Sequence, residues 1–248
     1  TGSQAANLTA VLQGVDTFQQ VGTVDASAAT GNLMLTVTAG TSSDDKTIVS
    51  LGAGDDQLTI GALDKDFTIT GGEGSDTLVA SAGAPATTLA AASYVGVGVS
   101  GFEVISAAGA GTVDFRSLAN NTTFISTTGA GTYSKAGAGI ADSYLTATSG
   151  ALTLTRVTDT AADALNVHIQ AASAATVTAS VVNEETVTIA AAGSTVATHS
   201  LGLTVADATT LNVIGSNALN ISSLVGETNL ATIAAGTSTG AVFTVDAS

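Results

Sequence analysis

Hydrophobic and polar residues alternate along most of this chain, in short runs separated by glycine, serine and alanine. Alternation with a period of two is typical of a β-strand that buries one face. Runs of this kind lie at residues 33–38, 47–50, 67–70, 151–155, 165–169, 175–178 and 186–189. Three more triplets, LTV, LNV and LNI, start at Leu203, Leu211 and Leu219. The pattern therefore predicts many short strands and little helix.

Several short units recur at a distance from one another. TVDAS appears at Thr23 and again at Thr244, and GFEVI at Gly101 is followed by TVDFRSL at Thr112. Short strands with internal similarity are typical of a solenoid or a sandwich. We favour the solenoid because the copies are spread over the whole chain. The predicted fold class is all-β, a parallel β-helix or β-roll solenoid, and the predicted domain is one segment covering 1–248.

Two near-copies of one glycine-aspartate phrase stand out at residues 51–80. GAGDDQLT starts at Gly52 and GGEGSDTLV starts at Gly71, with matching positions twenty residues apart. The second copy fits the pattern G-G-x-G-x-D-x-U-x, the calcium-binding repeat of RTX proteins, while Leu51 replaces the first glycine of the other. A twenty-residue spacing predicts one rung of a solenoid, so that both turns lie on one edge about 4.8 Å apart.

The residue types of this phrase suit calcium. Glycines allow tight turns with inward carbonyls, aspartates add charged oxygens, and calcium takes six to eight oxygens in irregular geometry. One turn supplies about half a coordination shell, so two stacked turns are expected to share an ion. The candidate ligands are Gly52, Gly54, Asp55, Asp56, Gly72, Gly74 and Asp76. The alternative is a pair of plain glycine-aspartate turns without metal.

The opposite edge of the same rungs offers a weaker candidate. Asp45 and Asp66 each precede a strand-like run, in TSSDDK and ALDKDF, but these turns lack the glycines. A second calcium ion at Asp45 and Asp66 and an ordinary solvated turn are both open. Asp142, Asp159 and Asp163 offer a third candidate oxygen site. An interpretation of these three residues as ordinary loop acids is favoured over it.

Charge favours a bound cation. The chain of 248 residues carries a net charge of −15 with five basic residues, and residues 44–76 contain eight acids against two lysines. Packed turns would bring these like charges together, and a divalent ion would relieve their repulsion. So acidic a chain is not expected to bind nucleic acid. There are no cysteines and no apolar run of eighteen residues, so no transmembrane segment is predicted.

Patterns that resemble catalytic motifs are weak in this chain. GTSTG at 236–240 fits G-x-S-x-G, but a strand-like run follows it where a nucleophile elbow needs a helix. His168 and His199 are isolated, and neither arginine lies beside an acid cluster. We therefore expect the protein not to be an enzyme. Asn166, Asn212 and Asn220 occupy the same place in their triplets and predict either an asparagine ladder or unrelated surface side chains.

The glycine-aspartate repeats, the Thr/Ala/Gly background and the GFEVI and VDAS units resemble Caulobacter-type surface-layer (S-layer) proteins of the RTX family. The resemblance implies a secreted structural protein, exported by type I secretion, that self-associates into a calcium-dependent lattice on the bacterial cell surface. It also implies that this chain is part of a longer protein, in which other regions contact cell-surface polysaccharide. An RTX adhesin or biofilm matrix segment is the alternative, and a polysaccharide-cleaving β-helix enzyme is a third.

Overall fold

The computed structural model describes residues 6–11, 21–38, 46–60, 67–80, 98–108, 111–115, 123–192, 198–236 and 243–245. The chain forms two compact units, residues 1–122 and 123–248. The described residues contain no α-helix, and a short 3-10 helix covers Glu227–Asn229.

The first unit stacks its strands into two parallel sheets. One sheet contains β1 (Ala6–Val11), β3 (Leu33–Thr38), β5 (Gln57–Ile60), β7 (Thr77–Ala80) and β9 (Val104–Ala108). The other contains β2 (Val21–Asp25), β4 (Lys46–Ser50), β6 (Phe67–Thr70) and β8 (Gly98–Ser100). A further strand, β10, covers Gly111–Asp114. Successive strands along the chain alternate between the two sheets, which is the topology of a β-solenoid.

The second unit repeats this arrangement. Strand β11 (Thr123–Ala136) contributes to both sheets, pairing with β12 (Asp142–Leu145) and with β13 (Ser149–Arg156). Within this unit, one sheet runs from β12 through β14 (Ala164–Ile169), β16 (Thr186–Ala191), β18 (Thr210–Gly215) and β20 (Thr232–Ala235). The other sheet of this unit runs from β13 through β15 (Thr176–Val181), β17 (Thr198–Thr204), β19 (Ala218–Val225) and β21 (Phe243–Val245).

This architecture confirms the predicted parallel β-solenoid. Strands β3 and β6 have the bounds that their alternation predicted, and β4, β13, β14 and β16 match their predicted runs to within two residues at each end, while β15 extends three residues beyond its run. Period-two alternation works here because each strand has one face toward the interior of its coil. The prediction of one continuous solenoid segment over 1–248 stays a prediction.

The core of each unit is built from columns of aliphatic side chains. In the second unit, Leu165, Val187 and Leu211 occupy the same register position on successive rungs, and all three are buried. In the first unit, Leu35, Leu58 and Leu78 form the equivalent column. Burial of a leucine or valine side chain stabilises a fold by roughly 1.5–3 kcal/mol, so such columns favour the coiled arrangement.

The asparagine ladder of the sequence analysis does not form. Asn166 and Asn212 lie in one column, but Thr188 separates them, and Asn220 belongs to the other sheet. Asn166 donates its amide to Asp142 at 3.0 Å, and Asn212 donates to Thr188 at 3.4 Å. The triplets at Leu203, Leu211 and Leu219 lie on successive strands, and successive strands belong to different sheets. Equivalent residues eight positions apart are therefore not stacked on one another.

Candidate cation site in the stacked turns

The two glycine-aspartate turns lie on neighbouring rungs, as their spacing predicted. Gln57 pairs with Thr77 in the strands that follow the turns, and Ala53 and Glu73 form a parallel bridge within the turns themselves. The Glu73 N–H donates to the Gly52 carbonyl at 2.9 Å, and the Gly54 N–H donates to the Glu73 carbonyl at 2.9 Å. Direct backbone hydrogen bonds therefore hold the turns together.

Glycine is required where the turns approach each other. Gly72 and Gly74 have φ angles of 117° and 128°, a region that residues with a Cβ rarely adopt. A Cβ on Gly72 would collide with the Gly52 carbonyl, and one on Gly74 would collide with the Gly54 carbonyl. The repeated glycines thus allow backbone oxygens of one turn to lie directly under the next.

Three acidic side chains occupy one register position, immediately before β5, β7 and β9. Asp56 accepts the Leu33 N–H, Asp76 accepts the Asp56 N–H, and Glu103 accepts the Asp76 N–H, each at 2.8 Å. Each carboxylate therefore bonds to the backbone of the rung before it. We call Asp56, Asp76 and Glu103 the carboxylate column.

Two oxygens of this column have no hydrogen-bond partner. Asp56 is 2% exposed and Asp76 is 0% exposed, and the Oδ2 atom of each is buried and unpaired. Burial raises the pKa of Asp76 to about 6, opposed by the Asp56 N–H and reinforced by the charges of Asp56, Glu103 and Asp55. A buried carboxylate without a counter-charge is unfavourable, so this position suits a ligand that supplies positive charge.

Asp55 lies on the outer side of the same turns. Its side chain is exposed and accepts the Ser75 N–H at 3.0 Å, while its own N–H donates to Asn32 Oδ1 at 3.0 Å. It forms a second, solvent-facing set of hydrogen bonds between rungs. Asp55 and Asp56 therefore point to opposite sides of the turn, and only Asp56 belongs to the carboxylate column.

Two of the predicted ligands are not described by the structure. Asp45 and Asp66 lie outside the described residues, although the strands that follow them, β4 and β6, pair in register from Thr47 and Phe67 onward.

The sequence analysis did not predict Glu103 as a residue of this site. It precedes Ile105 by two residues, in the inward phase of β9, as Asp56 precedes Leu58, and that shared phase could have found it.

No group of three or more histidine, cysteine, aspartate or glutamate side chains in the described residues is arranged to hold a metal ion. The acids of the carboxylate column lie on successive rungs, so any one ion would meet at most two of them. Backbone carbonyls and water would have to complete its shell. Calcium accepts such mixed oxygen ligands, whereas magnesium requires a more regular octahedron.

Asp142 and Asp163 of the second unit both have hydrogen-bond partners within that unit. Asp163 accepts the Thr160 N–H at 2.7 Å, and Asp142 bonds to His168 Nε2 at 2.8 Å. The His168 ring also stacks on Tyr144 with 4.3 Å between ring centroids. These acids belong to separate local networks and do not form one oxygen site. Asp163 lies in a loop, as the alternative interpretation predicted, although it is buried, whereas Asp142 lies in β12.

Searches of protein-family models, curated proteins and solved structures found no match to this chain. No helix in the described residues has the length and apolar character needed to cross a membrane. The class of protein is thus defined by the fold alone, a parallel β-solenoid.

Proposed function

We propose that this chain is a calcium-stabilised structural segment of a bacterial surface layer, secreted and self-associating on the cell surface. The observation that carries the proposal is the pair of buried, unpartnered oxygens on Asp56 and Asp76. They lie in the turns that match the calcium-binding repeat, and no protein cation bonds to them in the described residues. Calcium between these turns would neutralise the carboxylates and stabilise the rungs.

Calcium also provides a reason for regulated assembly. A net charge of −15 opposes association because like-charged subunits repel. A bound ion reduces that charge and orders the turns before an interface forms, which lowers the entropy lost on association. Extracellular calcium modules bind in the range of about 10⁻⁴–10⁻³ M, so assembly would respond to calcium outside the cell.

The first experiment tests whether calcium stabilises the fold. Melting temperature is measured by circular dichroism in chelator, in calcium and in magnesium. We expect calcium to raise the melting temperature, since occupancy at a hundred times the dissociation constant contributes about 2.7 kcal/mol per site, and magnesium to replace it poorly. Equal melting temperatures in chelator and in calcium would rule out the calcium site.

The second experiment tests assembly with the full-length protein. Light scattering is followed through a calcium titration, with electron microscopy of the end point. We expect soluble subunits in chelator and sheets or large oligomers in calcium, and a full-length Asp56→Asn/Asp76→Asn variant should need more calcium. If the wild-type protein binds calcium and stays monomeric through several millimolar, the lattice proposal is wrong and an adhesin becomes the better proposal.

A further inference from the structure

The apolar columns of the two units end at exposed residues. In the first unit, the column that contains Leu35 begins at Leu8, which is 55% exposed. In the second unit, the column that contains Leu211 ends at Ile233, which is 46% exposed. Both residues occupy the register position that faces the interior on the neighbouring rungs, so each is an inward residue that no described rung covers.

The strands that carry these two residues are free edges. Among the described strands, β1 packs beside β3 and β20 beside β18, and neither has a strand on its other edge. A free edge presents backbone N–H and C=O groups that can pair with another strand, and soluble proteins usually protect it with charged residues, proline or a bulge. Neither β1 (ANLTAV) nor β20 (TIAA) contains a charged residue or proline. The two edges therefore carry none of the charge that opposes association of this acidic chain.

The other sheet of each unit carries the phrase TVDAS at its end. The phrase starts at Thr23 in β2, the first described strand of its sheet, and at Thr244 in β21, the last described strand of its sheet. In the first copy, the Asp25 side chain accepts the Ser27 N–H at 3.1 Å and closes a turn. The glycine-aspartate turns show that a repeated phrase of this chain stacks on its equivalent in the neighbouring rung. The shared phrase therefore favours a second copy of the chain as the occupant of the open ends.

We propose that copies of this chain stack head to tail, with β20 of one copy pairing in parallel with β1 of the next. The register that matches the two exposed inward residues places Leu8 on Ile233, so the apolar column continues across the contact. The same stacking brings β21 of one copy beside β2 of the next. A contact between two different surfaces repeats into open rows unless the rotation between copies closes a ring. This contact rests on the self-association in the proposed function and names the surfaces that would carry it.

Disulfide cross-linking between two variants of the whole chain, which has no cysteine of its own, tests the contact directly. Leu8→Cys and Ile233→Cys are mixed in calcium and oxidised. Neighbouring strands lie about 4.8 Å apart, a separation that a disulfide can span, so we expect a dimer with one copy of each variant. Met34→Cys replaces Leu8→Cys in the matched control, because Met34 is an exposed apolar residue on the outer face of β3. The mixed dimer should be lost in this control, and equal yields with Leu8→Cys and Met34→Cys would overturn the proposal.

Light scattering of the full-length protein in calcium separates this contact from the proposed function. We expect Ile233→Glu and Leu8→Lys each to abolish the rise in scattering, because each would bury an unpaired charge in the contact. An equimolar mixture of the two variants should recover part of it, since the introduced charges then face each other, and Met34→Lys should assemble like the wild type. Wild-type scattering in both single variants would overturn this contact and leave self-association intact. A wild-type protein that does not assemble would instead count against the proposed function, and the cross-linking yields would then decide the contact alone.

Discussion

In the second unit, the Glu184 carboxylate is 0% exposed and lies against the guanidinium of Arg156, which is 6% exposed. Arg156 donates to both carboxylate oxygens, at 2.7 and 2.9 Å. Its remaining N–H groups donate to the carbonyls of Gly137, Ile140 and Ala164. Burial raises the pKa of Glu184, and the paired guanidinium opposes that rise. The buried charge is therefore matched by a cation of the chain itself.

In the first unit, Asp56 and Asp76 are buried to the same degree but meet no guanidinium or ammonium group of the described residues. The one basic side chain among the described residues of this unit is Lys46, which is exposed. Their Oδ1 atoms accept backbone N–H groups, and their Oδ2 atoms remain unpaired. In the second unit, the Glu184 carboxylate is thus always neutralised by Arg156. In the first unit, Asp56 and Asp76 have no such partner among the described residues, so their neutralisation would depend on an ion from solution.

The largest expected effect comes from removing the internal cation. Arg156→Met leaves Glu184 charged and three carbonyls without donors, so we expect a loss of about 3–5 kcal/mol in the free energy of unfolding. Urea denaturation measures it, and added calcium should not reverse it. Lys135→Met is the matched control, because Lys135 is an exposed cation of the same unit.

The double variant Arg156→Met/Glu184→Leu sharpens this result. It removes the orphaned charge and should recover part of the lost stability, as apolar replacements of buried ion pairs often do. If Arg156→Met were no more destabilising than Lys135→Met, the Arg156–Glu184 pair would not be what stabilises the buried charge of the second unit.

A smaller effect, with a change of sign, is expected in the first unit. Asp76→Asn removes an uncompensated buried charge, so in chelator it should stabilise the fold by about 1–3 kcal/mol, since each unit of pKa shift corresponds to about 1.4 kcal/mol. In calcium the same variant should be less stable than the wild type, because it lacks a ligand charge. Parallel urea denaturations in chelator and in calcium measure both.

Glu73→Gln should show neither change, because Glu73 is exposed. Stabilisation by Asp76→Asn in both conditions would mean that the buried carboxylate is simply a cost to the fold, with no ion to offset it.

The strands and the stacking of the two turns could be predicted from the sequence because both depend on local patterns. Alternation fixes which side chains face inward, and a repeated turn at the rung interval fixes which residues stack. The pairing of Arg156 with Glu184 joins positions 28 residues apart, and no local pattern encodes which turn meets which strand end. Single-sequence reasoning therefore missed it.

A signal for the buried polar residues was nevertheless present. Arg156 follows Leu152 and Leu154 in phase, and His199 precedes Leu201 in phase, so each polar side chain occupies an inward position of its strand. An inward polar residue must find a partner in the core. The inward position of a polar residue therefore predicts that it has a partner. Which residue is that partner depends on the lengths of the rungs, which vary along the chain.

The smallest expected effect concerns His199, which is 0% exposed. The Ala175 N–H donates to its Nδ1 atom at 3.3 Å, and the Asn217 amide lies 3.2 Å from Nε2. The atom beside Nε2 is Asn217 Nδ2. Because a neutral ring that accepts at Nδ1 carries its proton on Nε2, we infer that the Asn217 amide is turned so that its oxygen accepts this proton. Burial lowers the pKa of His199 below its ordinary value of 6.5.

The direction of the pH dependence follows from this lowered pKa. Below about pH 6.5 the unfolded chain binds a proton at His199 that the folded chain excludes, so stability falls with decreasing pH by up to about 1.4 kcal/mol per pH unit until the folded ring also protonates. Hydrogen exchange of β15, β17 and β19 amides between pH 7 and 5 measures this locally. His199→Gln should lose the pH dependence, and His168→Gln, the other histidine of the chain, should keep it. If His199→Gln retained the same dependence, the loss would arise elsewhere, and the buried ring would be only a neutral hydrogen-bonding bridge between rungs.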